Sequence, residues 1–129
     1  MLAQARLYPD MYPLTRQVQI ACDTAKGAAA RLAGIEIPKH EDNEANLADL
    51  KHRVAKTQDF LKSVPADKFN GAEARAIEIT TPNRTLNFTG LSYLTNFVLP
   101  NFFFHESVSY ALLRHNGVEL GKADFLGAM

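Results

Sequence analysis

LSYLTNFVLPNFFFHESVSYALLRHNG, residues 91–117, is the longest apolar-rich stretch of the chain, and its reading decides the fold. At about 100° per residue, Leu91, Leu94, Val98, Asn101, Phe102, His105, Ser109 and Leu112 fall on one broad helical face. Pro100 removes a backbone donor and crowds the preceding turn, which predicts a bend near Asn96. Arg114 and His115 place positive charge in the last turn and Gly117 follows them, a helix stop. Asn101, His105 and Ser109, at i, i+4 and i+8, project three polar groups from an otherwise apolar face. Buried there, they must satisfy one another or the neighbouring helices, since an unpartnered polar group costs roughly 1–3 kcal/mol.

Upstream, Leu14 to Leu32 reads as a helix with Leu14, Val18, Ala21, Cys22, Ala25, Ala29 and Leu32 on its apolar side. Arg16, Gln19, Asp23 and Lys26 fall on the opposite side, and the small residues Ala21, Ala25, Gly27, Ala28 and Ala29 allow a second helix to approach closely. Gly34 ends it, with Pro38 just beyond. Residues 35–44 read as a linker with a solvated His40, leading to an N-cap at Asn43. A second helix from Glu44 to Val64 carries the stripe Leu47, Leu50, Val54, Leu61 and Val64, with Phe60 beside it, and stops at Pro65. His52 stands among Lys51, Arg53 and Lys56, a setting unsuited to a metal ligand.

Between the helices the period changes to two. Residues 76–80 and 84–88 alternate apolar and polar around Thr81-Pro82-Asn83, a small hairpin that must lean on the helices for stability. Thr89 and Gly90 start the last helix. Residues 116–129 read as an irregular tail anchored by Phe125 and Leu126. Residues 1–13, with Pro9 and Pro13, look like a connection into a helix.

The bulk properties bound the function. The chain has 129 residues, 47% hydrophobic and 22% charged, which fits one domain, residues 1–129. Fourteen basic residues balance fourteen acidic ones, and no basic stripe favours nucleic acid. Neutrality does nothing to oppose self-association, so a homodimer is compatible. The single Cys22 rules out an internal disulfide and suits a reducing compartment; in an apolar stripe it reads as a core residue. With no signal-peptide pattern and no apolar run near the roughly 20 residues of a membrane span, the cytoplasm is the expected location. The two Asn-x-Thr matches at Asn83 and Asn87 are then accidental. Three helices with wide apolar faces imply a missing fourth partner.

The segments PDMYPLTRQVQIACDTAKGAAARLAG and LPNFFFHESVSYALLRHNGVELGKADFLG resemble an uncharacterised bacterial family within the DinB/YfiT-like superfamily of four-helix-bundle metalloenzymes. The resemblance covers essentially the whole chain. It implies a mainly α, up-down bundle with the hairpin in the crossover before the last helix, and a first helix absent from this sequence. An apolar groove would then be left open to dimerisation or helix exchange.

The superfamily holds a divalent metal with three histidines, and here the resemblance implies an incomplete set. The first position falls near Asp23 and Thr24. On the last helix His105 is flanked at four-residue spacing by Asn101 and Ser109. A divalent site wants three or four good donors, so no metal and no other cofactor is expected, with His105 the one plausible ligand. Two functions follow. One is a non-catalytic bundle that binds a small apolar molecule or a protein, with Phe97, Phe102, Phe103, Phe104 and Tyr110 as an aromatic lining. The other is a metal-dependent hydrolase or transferase in which His105 is ligand or general base, oriented by Asn101 and Ser109. Whether the chain is an enzyme stays open on sequence grounds.

Overall fold

Three long helices and a hairpin make up the computed structural model, which describes residues 1–127. Helix α1 spans Leu14–Ala33 and α2 spans Leu47–Ser63. Strands β1 (Ala76–Thr80) and β2 (Thr85–Thr89) pair antiparallel, with Ile77 opposite Phe88 and Ile79 opposite Leu86. The last helical stretch begins as α3 (Gly90–Tyr93), widens to a π turn over Leu94–Val98, and continues as α4 (Leu99–His115). A single helical turn, α5, follows at Lys122–Leu126. No helix among these is long and apolar enough to cross a membrane.

Helices α1 and α2 run in the same direction. Leu14 shares a core cluster with Leu50, and Ala25 faces Leu61 across one cavity. The extended segment between them must therefore return along α1. Its thirteen or so residues reach about 40 Å, enough for a helix of about 30 Å. Helix α4 runs antiparallel to α1: Leu112 meets Leu14, while Val98 and Tyr93 meet Ala28. The hairpin precedes the last helix, as expected, and its Ile77–Phe88 side packs with Tyr93 and Phe97. The core is thus two clusters at opposite ends of α1.

Most elements fall where the sequence puts them, and the deviations have physical causes. Gly34 ends α1 with φ 69°, a left-handed cap that glycine adopts without cost. Around Asn96, where a bend is predicted, the helix carries the π turn. Once α4 begins at Leu99, Pro100 lies in a first turn, where its missing N–H is tolerated. Thr89 and Ser92 cap α3 reciprocally, the Ser92 N–H donating to Thr89 Oγ1 at 3.2 Å and the Thr89 N–H to Ser92 Oγ at 3.0 Å. The second helix starts at Leu47 instead of Glu44, and its cap is Asn46 instead of Asn43. Asn46 accepts from the Asp49 N–H, and Asp49 returns a bond to the Ala45 N–H, both at 2.9 Å. Glu44 is drawn elsewhere, to Arg53 and Gln19.

Three surface expectations are corrected. The polar side of α1 is not in water: Gln19 and Lys26 are only 5% and 6% exposed, because the return segment and α2 lie over them. On α2 the apolar stripe is only partly covered; Leu50 is buried, but Leu47, Val54 and Leu61 remain 37–41% exposed. In the tail, Phe125 packs edge-on against Tyr110, whereas Leu126 is exposed and anchors nothing. Ala128 and Met129 lie outside the described residues.

Candidate functional site

The polar residues of the last helix do not satisfy one another. Asn101 Nδ2 donates to the Phe97 carbonyl at 2.9 Å and Ser109 Oγ to the His105 carbonyl at 2.8 Å, each one turn back on its own strand of helix. Only His105 reaches across. Its Nδ1 lies 2.7 Å from Gln17 Oε1 on α1. Because Gln17 Nε2 donates to the Tyr12 carbonyl at 3.2 Å, the amide oxygen faces the imidazole and Nδ1 carries the proton. Burial, with the Arg16 charge adding to it, holds the His105 pKa below its ordinary value. The side chain is a neutral imidazole locked by an amide.

Asp23 and Thr24 point elsewhere. Thr24 Oγ1 donates to the Ile20 carbonyl at 2.8 Å. Asp23 is half-buried beneath the return segment and belongs to a cluster centred on Arg53. That guanidinium, 1% exposed, donates to Asp23 Oδ1 at 2.8 Å, Asp42 Oδ1 at 3.0 Å, Glu44 Oε1 at 2.9 Å and the Glu41 carbonyl at 3.0 Å. Burial opposes its charge, but the carboxylate hydrogen bonds outweigh burial and drive its pKa further up. Lys26 shares Asp23 at 3.3 Å, and Gln19 Nε2 donates to Glu44 at 2.9 Å. The result is a clasp pinning the segment 41–44 onto α1 and α2. His40, at the edge of this region, is half-buried instead of solvated, and burial and the nearby Lys26, Lys56 and Arg53 lower its pKa.

Sequence reasoning missed Gln17 and Arg53. Each had one signal: Gln17 lies three residues after Leu14 and Arg53 three after Leu50, so both share a flank of a buried stripe.

A third feature is apolar. Helix α1 forms the floor and α2 and α4 the walls of an open groove made of two adjoining cavities of about 340 Å³ each. Val18, Val54 and Gln58 line both cavities. The lining repeats at alternating spacings of three and four: Leu14, Val18, Ala21 and Ala25 on the floor, Leu47, Leu50, Val54, Thr57 and Leu61 on one wall, Phe102, Glu106, Ser109 and Leu113 on the other. Cys22 sits in this floor, where burial pushes its thiol pKa up, the Thr57 hydroxyl partly opposing. Burial also raises the Glu106 carboxyl.

The architecture defines a DinB-like helical bundle. A solved crystal structure of a DinB family member protein from Shewanella denitrificans is 44% identical, covering 99% of this chain and 72% of its own, with a TM-score of 0.86. The chain belongs to the family described as a domain of unknown function, DUF1993, whose model matches residues 1–126. No curated protein matches it. The three-histidine metal of the wider superfamily does not fit the residues present. Among the described residues no three His, Cys, Asp or Glu side chains come together as a metal-holding group. His105 has Nδ1 engaged by Gln17, and Asp23 is committed to Arg53 and Lys26.

Proposed function

We propose that this chain is a binding bundle without a divalent metal, and that its apolar groove takes up an amphipathic helix. The observation that carries this reading is the spacing of the lining. Floor and both walls present residues at three- and four-residue intervals, the pattern that receives the knobs of a neighbouring helix. The small floor residues Ala21 and Ala25 allow close approach. The residues on the α2 wall left 37–41% exposed are those spaced seven apart, Leu47, Val54 and Leu61. In the absence of another helix, the same face closes a homodimer groove to groove.

The test is sedimentation of the 129-residue chain beside a Val54→Glu/Leu61→Glu variant, each with and without a Leu-heptad amphipathic peptide. The expected result is a wild-type dimer, or a monomer that binds the peptide, with both properties lost in the variant. A wild-type monomer that ignores the peptide overturns the proposal. A thermal shift with small apolar compounds, and none with the peptide, moves the occupant to a small molecule.

A further inference from the structure

Beside the groove, on another face of α1, a smaller cleft of about 200 Å³ opens between α1, the hairpin and the π turn. Ile20, Ile79 and Phe97 give it an apolar lining, and Arg31 stands in it. Among the described residues Arg31 pairs with no carboxylate, whereas Arg16, Lys26 and Arg53 each do. Asp23, also in the lining, is engaged by Arg53 and Lys26 and not by Arg31. Arg31 is nevertheless fixed in place. Its Nη1 donates to the Tyr93 hydroxyl at 3.0 Å, and its carbon lies 5.9 Å from the Tyr93 ring centroid. One turn earlier Gly27 leaves room for it; a Cβ there would approach Arg31 Nη1 to 2.5 Å. Phe97 enters the lining from the π turn, an irregularity that recurs at functional sites.

We propose that this cleft binds a small organic carboxylate with a flat apolar body, its carboxylate on Arg31 and its body against Ile20, Ile79 and Phe97. With Nη1 on Tyr93, the guanidinium retains the Nε and Nη2 donors, the pair that meets a carboxylate side by side. A cation held by an aromatic ring and a hydroxyl loses little freedom when it binds. The proposal is independent of the groove.

The experiment is titration of the intact chain with benzoate, benzamide and inorganic phosphate, followed by amide NMR and the Arg31 side-chain resonance. Benzoate is expected to shift Thr24, Phe97 and Arg31, with benzamide about tenfold weaker for want of the charge-assisted pair. Arg31→Gln is expected to remove the difference between the two. Gly27→Ala, which favours the helix but displaces the guanidinium, is expected to weaken benzoate several-fold and to leave the fold intact. Equal binding of benzoate and benzamide overturns the proposal, as does indifference to Gly27→Ala, or shifts confined to Val18, Val54 and Leu61. Phosphate binding as well as benzoate overturns the apolar part of the assignment.

Discussion

His105 on α4 and Gln17 on α1 meet at 2.7 Å, and among the described residues theirs is the one side-chain hydrogen bond that joins these two helices. The Gln17 amide is spent in both directions, to His105 and to the Tyr12 carbonyl. Removing either partner strands the other in the core. His105→Ala and Gln17→Leu are each expected to cost about 1–3 kcal/mol in urea unfolding. The double variant should cost less than the sum, because the two losses share one bond. Strict additivity would show the pair to be uncoupled.

The same site gives a pH dependence whose sign is fixed. Folding lowers the His105 pKa, so its contribution to stability is present above the ordinary histidine value of about 6.5. It is lost as pH falls through the lower folded value. His40 acts in the same direction, and the raised Glu106 acts oppositely, in the carboxylate range, where its contribution is lost as pH rises. Stability measured from pH 7.5 downward should decline below about 6.5. A His105→Gln variant should decline less over this interval; an unchanged slope would assign the dependence to His40.

Metal addition separates the binding bundle from the hydrolase reading. Equimolar zinc is expected to leave the melting temperature unchanged in wild type and His105→Ala alike. A rise of several degrees, lost in the variant, would restore His105 as a ligand.

Arg53 is expected to matter more than any surface charge. Arg53→Ala leaves Asp23 of α1 facing Asp42 and Glu44 of the return segment. Two of these are half-exposed and can turn to water, so the cost should sit near the low end for breaking a buried pair, about 3 kcal/mol. Asp42→Asn should cost less than about 1 kcal/mol. Limited proteolysis should cut Arg53→Ala first within residues 35–46; cleavage at the hairpin instead would mean that the clasp does not hold the segment.

Gly90→Ala is expected to be among the most damaging single-methyl changes in the chain. The added Cβ would lie 1.7 Å from the Ala72 carbonyl oxygen, which is backbone and cannot swing aside. A loss of about 3 kcal/mol or more, read by thermal unfolding, fits overpacking of this kind. A variant as stable as wild type would show that the turn at 72–74 yields freely.

How much of this was legible in the sequence follows from what each element depends on. Apolar spacing and local stops place α1, the hairpin and the last helix, because Gly34, Thr89 and Pro100 act on their own neighbours. The resemblance extends that reading to the bundle. What local pattern cannot carry is the partner across space. Asn43 is as good a cap as Asn46 until Asp49 and Arg53 compete for the chain around them. Gln19 and Lys26 look solvated until a return segment is laid over α1. The His105 position was visible as an intruder on an apolar face; that Gln17 answers it, and that Asn101 and Ser109 do not, depends on helix packing. Asp23 reads from its spacing as lying opposite the apolar stripe, and the arginine that claims it reads only as a charged neighbour of His52.

The two core clusters lie at opposite ends of α1, with small residues and an open groove between them. Leu14 belongs to one and Ala28 to the other, and among the buried members only α1 contributes to both. The protein should therefore breathe in two pieces. In native-state hydrogen exchange, amides around Leu50 and Leu112 should open as one cooperative group and those around Ile77 and Tyr93 as another. The middle of α1 exchanges with whichever opens at the lower free energy. A helix seated in the groove would span the gap and fuse the two groups into one, so occupancy could be read from exchange rates without knowing the occupant.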